Sequence, residues 1–81
     1  MSSMQTTLRT VLDIWSEVLE RGEPPQPADN FFALGGDSIG VMSMLFRIQE
    51  TLGVEMSPGV LFEAPTPAEL ARLIDEQIRL K

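Results

Sequence analysis

One hydroxyl in this chain stands where a reaction could use it. Ser38 follows the glycine pair Gly35-Gly36 and the acidic Asp37, and it opens a segment whose apolar residues recur at helical spacing. Taken alone, a serine in that place is an ordinary helix cap. To act as a nucleophile within its own chain it would need a base, yet the 81 residues include no His and no Cys. That composition excludes an imidazole-activated serine, thiolate chemistry, disulfides and the usual zinc sites. The carboxylates are scattered, and nothing in their spacing resembles a paired acid and base. No catalytic residue and no metal site is assigned, and the chain is not expected to be an enzyme.

The elements that position Ser38 are readable as helices. Leu8, Val11, Leu12, Trp15, Val18 and Leu19 recur at three and four, which predicts a helix with one buried face, ended by Gly22. Glu23 to Pro27 holds three prolines in five residues and reads as a stiff extended loop. Asp29 is placed to cap a short turn carrying Phe31, Phe32 and Leu34. A second helix is expected from Asp37 or Ser38 to Leu52, with Gly53 as its stop and Val54 and Met56 returning to the core. Ser57-Pro58 resembles the opening of a third helix, kept brief by Gly59. Thr66, Pro67 and Glu69 form a capping-box signature for a last helix, whose inner face is Leu70, Leu73, Ile74 and Ile78. No stretch alternates with period two. The expected fold is therefore all-α: a small four-helix bundle of three main helices and one short one, forming a single domain over residues 1–81.

The second helix has more apolar residues than one buried stripe requires. Val41, Leu45, Ile48 and Leu52, with Met44 beside them, form the expected core face. Ile39, Met42 and Phe46 fall on another face. For Met42 and Phe46 core and partner surface are both open; Ile39, next to Ser38, is assigned to partner contact. Methionine suits a surface that meets several partners, because its side chain repacks easily.

Charge narrows the partners. Twelve acidic residues against six basic ones leave a formal charge of −6, which repels nucleic acid and anionic membranes. A protein with a basic docking patch is favoured, although excess acid also serves plain solubility. No signal-peptide core and no membrane-spanning apolar run is present, so a cytoplasmic monomer is expected.

The run Phe31-Phe32-Ala33-Leu34-Gly35-Gly36-Asp37-Ser38-Ile39 resembles the attachment motif of acyl and peptidyl carrier proteins. The likeness continues through Arg47-Ile48, Leu52-Gly53-Val54, Leu61 to Thr66 and Ala68 to Ala71, and so covers nearly the whole chain in order. It implies that Ser38 receives 4′-phosphopantetheine from coenzyme A through a separate magnesium-dependent phosphopantetheinyl transferase, with Gly36 and Asp37 beside the cofactor. A helix start favours the phosphodiester so formed. In this resemblance Gly35 and Gly36 either admit the transferase backbone or simply make the turn, and Asp37 either positions metal or transferase or stabilises the helix start. The resemblance also leaves two readings of Gly40, where the family carries a larger residue: close approach of a partner, or tolerance near a helix end.

The Gly-Gly-Asp-Ser form looks more like peptidyl carriers of nonribosomal peptide synthesis than polyketide or fatty-acid carriers, which stand as the alternative. An unmodified helical interaction module is the alternative from another class. The implied partners are the transferase, an adenylating or acyl-loading enzyme, and downstream condensation, tailoring or thioesterase enzymes. Beginning at methionine and ending soon after the last helix, the chain reads as free-standing.

Overall fold

A computed structural model describes residues 3–20 and 25–79. Its order is α1 (Ser3–Val18), α2 (Ser38–Leu52), α3 (Val60–Glu63) and α4 (Pro67–Arg79), with no strand among the described residues. The all-α expectation is met, with three longer helices and one of four residues.

Helix α1 begins five residues before Leu8 and ends at Val18. Glu20 follows it with a left-handed φ of 54°, a conformation that terminates a helix. Gly22, the expected stop, lies outside the described residues, as does Pro24. Val11, Ile14 and Trp15 are buried, while Leu8, Leu12, Val18 and Leu19 are half-buried. At the end of α2, Gly53 adopts a φ of 70° and its N–H donates to the Gln49 carbonyl at 2.9 Å. That left-handed glycine is the stop expected from sequence, and beyond it Val54 is buried and Met56 half-buried.

The start of α3 corrects the expected cap at Ser57. Ser57, Pro58 and Gly59 form a turn in which the Val60 N–H donates to the Ser57 carbonyl at 3.0 Å, so the helix starts at Val60. Its four residues bury Val60 and Leu61 and leave Phe62 outside.

Helix α4 starts where expected. The Thr66 hydroxyl donates to Glu69 Oε1 at 2.8 Å and accepts from the Glu69 N–H at 3.2 Å. Thr66→Ala is expected to lower stability by about 1 kcal/mol in a denaturant titration, the usual cost of a lost cap. An unchanged midpoint would mean that Pro67 and packing alone define the helix start. The inner face differs from the apolar pattern at one turn: Ile78 is exposed, and Asp75 is buried instead, accepting from the Thr7 hydroxyl at 2.6 Å. The hydrogen bond from Thr7 of α1 lets a polar residue occupy that position.

The core gathers Val11, Ile14 and Trp15 of α1, Val41, Met44 and Ile48 of α2, Leu70, Ala71 and Ile74 of α4, and Phe31, Val54, Val60, Leu61 and Ala64 between them. On α2 the core face is centred on Met44, while Leu45 and Leu52 are only half-buried. The expected stripe is thus rotated slightly. Helix α4 packs most extensively on α1, and α2 lies against α1 from another side.

Candidate functional site

The segment before α2 is held by its own polar groups. Asn30, not Asp29, caps the turn: its Oδ1 accepts from the N–H groups of Phe32 at 2.9 Å and Ala33 at 3.1 Å. Asp29 instead accepts from the Gln26 N–H at 2.8 Å, one turn earlier. The two residues share Asx chemistry, and pattern alone does not say which of adjacent Asx residues takes the cap. Leu34 N–H donates to Asn30 O, Gly35 to Phe32 O and Gly36 to Phe31 O, all within 3.0–3.1 Å. The Phe31 N–H donates to the Pro65 carbonyl at 2.8 Å, which ties the segment to the α3–α4 connection.

Phe31 is the packing centre of this segment. Fully buried, its ring meets Trp15 edge-on at 5.1 Å between centroids and Phe32 edge-on at 5.4 Å. The same ring explains two glycines. A Cβ on Gly36 would lie 2.2 Å from Phe31 Cε2, and one on Gly40 would lie 3.2 Å from Phe31 Cζ and 3.4 Å from Asp37 Oδ1. The small residue in the first turn of α2 therefore makes room for an internal aromatic ring and the capping carboxylate. Neither reading offered for Gly40 includes that role, since a contact with a residue nine positions earlier leaves no periodic signal.

Asp37 is the N-cap of α2. Its backbone is extended (φ −131°, ψ −173°), its Oδ1 accepts from the Gly40 N–H at 2.8 Å, and its carbonyl accepts from the Val41 N–H at 2.9 Å. Of the two roles open to Asp37, helix stabilisation is realised in the structure. Ser38 is consequently the first helical residue rather than the cap. Its side chain is exposed, and its hydroxyl makes no hydrogen bond to a described residue. No described acceptor meets the amides of Ser38 and Ile39, which leaves the positive end of α2 beside the hydroxyl. A phosphate ester on this oxygen fits the site: the oxygen is accessible, uncommitted and next to unpaired donors.

Around Ser38 the surface is apolar. Ile39 is 77% exposed, Met42 57% and Phe46 62%, so Met42 and Phe46 are not part of the core. The sequence reading missed Phe62, which is 73% exposed and stacks on the half-buried Phe32 at 5.0 Å and 17°. A clue was present in Leu61-Phe62, because a helix of one turn cannot bury two adjacent large side chains on one face. Helix α1 also borders the site through Glu17 and Val18, and Glu17 pairs with Arg47 of α2.

A short helical bundle that presents an exposed serine at a helix start, with exposed apolar side chains along the same helix, has the form of a carrier domain. The chain belongs to the phosphopantetheine attachment site family, whose profile matches residues 9–74. Carrier domains of this family hold 4′-phosphopantetheine covalently, and this chain is a carrier domain of the kind found in nonribosomal peptide synthetases.

Two subunits of surfactin synthase from Bacillus subtilis (strain 168) illustrate the likeness. The chain is 43% identical to subunit 1 over 68 residues, covering 84% of this chain and 2% of the subunit. With subunit 3 it shares 45% over 62 residues, covering 76% of this chain and 5% of the subunit. The chain thus spans a small part of these relatives. Among solved structures, BlmI, a type-II acyl carrier protein from Streptomyces verticillus involved in bleomycin biosynthesis, superposes with a TM-score of 0.88 at 30% identity, covering 94% of this chain and 90% of BlmI. McyG A-PCP, solved in complex with phenylalanyl-adenylate, gives a TM-score of 0.78 at 34% identity over 84% of this chain and 10% of that one.

Proposed function

We propose that Ser38 is the attachment point of the phosphopantetheine arm and that the chain delivers an aminoacyl or peptidyl intermediate in nonribosomal peptide or hybrid natural-product synthesis. The observation that carries this reading is the division of labour at the start of α2, where Asp37 takes the cap and leaves the Ser38 hydroxyl exposed, with no hydrogen bond to a described residue. In the loading step the Ser38 oxygen gives up its proton and forms a new ester bond to phosphorus, while the phosphoanhydride of coenzyme A breaks and the adenosine bisphosphate departs. The base belongs to the transferase, since the chain has no His and its Asp37 carboxylate is engaged in the cap.

Once bound, the arm supplies a thiol that carries acyl groups as thioesters. The chain's own contribution is delivery rather than catalysis: it fixes the arm at one point and so raises the local concentration of cargo at each enzyme it meets. The transferase, an adenylating or acyl-loading enzyme, and condensation, tailoring or thioesterase enzymes are the partners this role calls for. Gly36 and Asp37 shape the backbone beside the arm, and Ile39, Met42 and Phe46 offer the surface against which partners dock.

Incubation with coenzyme A and a broad-specificity transferase tests this directly. Intact mass is expected to rise by one phosphopantetheine; no rise with any of several transferases would overturn the carrier reading and leave a helical interaction module. The docking face has its own test. Ile39→Asp and Met42→Asp are expected to slow loading about tenfold or more while moving the thermal midpoint little, because both side chains already lie in water. A large fall in the midpoint would assign them a structural role instead.

A further inference from the structure

Phe62 stands largely in water, but its ring is tied to the interior of the chain. It lies nearly parallel to the ring of Phe32, with centroids 5.0 Å apart and 17° between planes. Phe32 is half-buried and meets Phe31 edge-on at 5.4 Å, and Phe31 is fully buried. The three rings therefore form an unbroken series from the solvent face of α3 to the core.

The inner end of that series is the backbone on both sides of Ser38. The Phe31 ring fills the space that a Cβ on Gly36 would need, and it stands 3.2 Å from the place of one on Gly40. The Phe31 carbonyl also accepts from the Gly36 N–H at 3.0 Å, so ring and main chain of one residue both hold the glycine two positions before the hydroxyl. A further tie comes from the other side: the Phe31 N–H donates to the Pro65 carbonyl at 2.8 Å, two residues past the end of α3. Helix α3 thus reaches Phe31 twice, by a hydrogen bond beyond its last turn and by the ring stack that starts at Phe62.

We infer that Phe62 is a positioning residue for Ser38, whose ring, acting through Phe32 and Phe31, holds the Gly36-Asp37 turn and with it the hydroxyl. Phe32 is confined between the ring of Phe31 and the face of Phe62. With Phe62 removed, Phe32 is free to turn toward water, and Phe31 loses the neighbour that closes its pocket on the solvent side. A ring so released no longer fixes the two glycines, because close-packed side chains pass a displacement on to whatever they touch. The role in loading rests on Ser38 being the attachment point, but the hold on the turn is a property of the free chain.

The test compares Phe62→Ala, Phe62→Tyr and Phe32→Leu in the full chain. In the free protein the amides of Gly36 and Gly40, which donate to the Phe31 carbonyl and the Asp37 carboxylate, are expected to exchange about fivefold faster in Phe62→Ala. Those of Gly53 and Leu70, at the far end of α2 and the start of α4, should stay within about twofold. Phe62→Tyr keeps a stacked ring and should leave all four near their original rates. With coenzyme A and a transferase, Phe62→Ala should lower kcat about fivefold and leave the KM for the carrier nearly unchanged, since the hydroxyl is less often in place. Phe32→Leu should act in the same way, and joining it to Phe62→Ala should add little, because both break one series. A raised KM with unchanged exchange would make Phe62 an outside contact of the transferase and overturn the positioning role. So would losses that multiply in the double variant, or faster exchange shared equally by Gly53 and Leu70. An original chain that gains no mass defeats the carrier reading alone, since exchange at Gly36 and Gly40 still decides whether the rings hold the turn.

Discussion

Ser38→Ala is expected to abolish the transferase-dependent gain in mass completely while leaving the fold intact. The substitution removes one oxygen that bonds to no described residue and sits in water at the first position of α2. Stability should therefore change by no more than about 0.5 kcal/mol, as for an ordinary surface substitution. Asp37→Ala provides the contrasting case. It removes the carboxylate that accepts from the Gly40 N–H, and about 1 kcal/mol of stability should go with it. Its intact-protein mass should still rise, more slowly, because the hydroxyl remains while the backbone around it loosens. Residual modification of the Ser38→Ala chain would place the arm on another hydroxyl. A cooperative loss of stability in that variant would mean that Ser38 is structural after all.

The second large effect is expected at Gly36. A Cβ there would approach three carbons of the Phe31 ring at 2.2, 2.4 and 2.7 Å, well inside any van der Waals separation. The ring has little freedom to move away, since it is fully buried between Trp15 and Phe32. Gly36→Ala should thus cost about 1–3 kcal/mol by overpacking, and Phe31→Ala about 3–5 kcal/mol through the cavity it leaves. For a domain this small the second figure approaches the whole stability. The double variant Phe31→Leu with Gly36→Ala should lose less than the sum of its single losses, because the smaller side chain vacates the space the new methyl needs. Strict additivity in denaturant titrations would show that ring and glycine are not coupled and that the segment before α2 is held by its hydrogen bonds alone. Loading rates on the folded fraction add a functional reading: if Phe31 sets the path of the chain into Asp37 and Ser38, Gly36→Ala slows modification beyond what its unfolded fraction explains.

Much of the local architecture was legible because its causes lie within a few residues. Thr66 and Glu69 bond to each other across one turn, and Gly53 ends α2 through its own left-handed backbone. Where two neighbouring residues offered the same chemistry, the local signal was ambiguous. Asn30 rather than Asp29 takes the turn before α2, and Asp37 rather than Ser38 takes the cap of α2. That last exchange matters for the site, because it releases the hydroxyl that the motif resemblance singles out.

Position along the chain and helical periodicity are properties of the sequence by itself: they placed Ser38 at a helix start, set Ile39, Met42 and Phe46 off the central core stripe, and marked the ends of α2 and the start of α4. What only the tertiary structure decided are the pairings between distant segments. Thr7 meets Asp75 across 68 positions, Glu17 meets Arg47 across 30, and Phe31 fills the space that Gly36 and Gly40 leave. A helix shows in its sequence which faces it has, since backbone geometry repeats every 3.6 residues. Which face is covered, and by what, depends on how the other helices close around it, and no period within one segment carries that information.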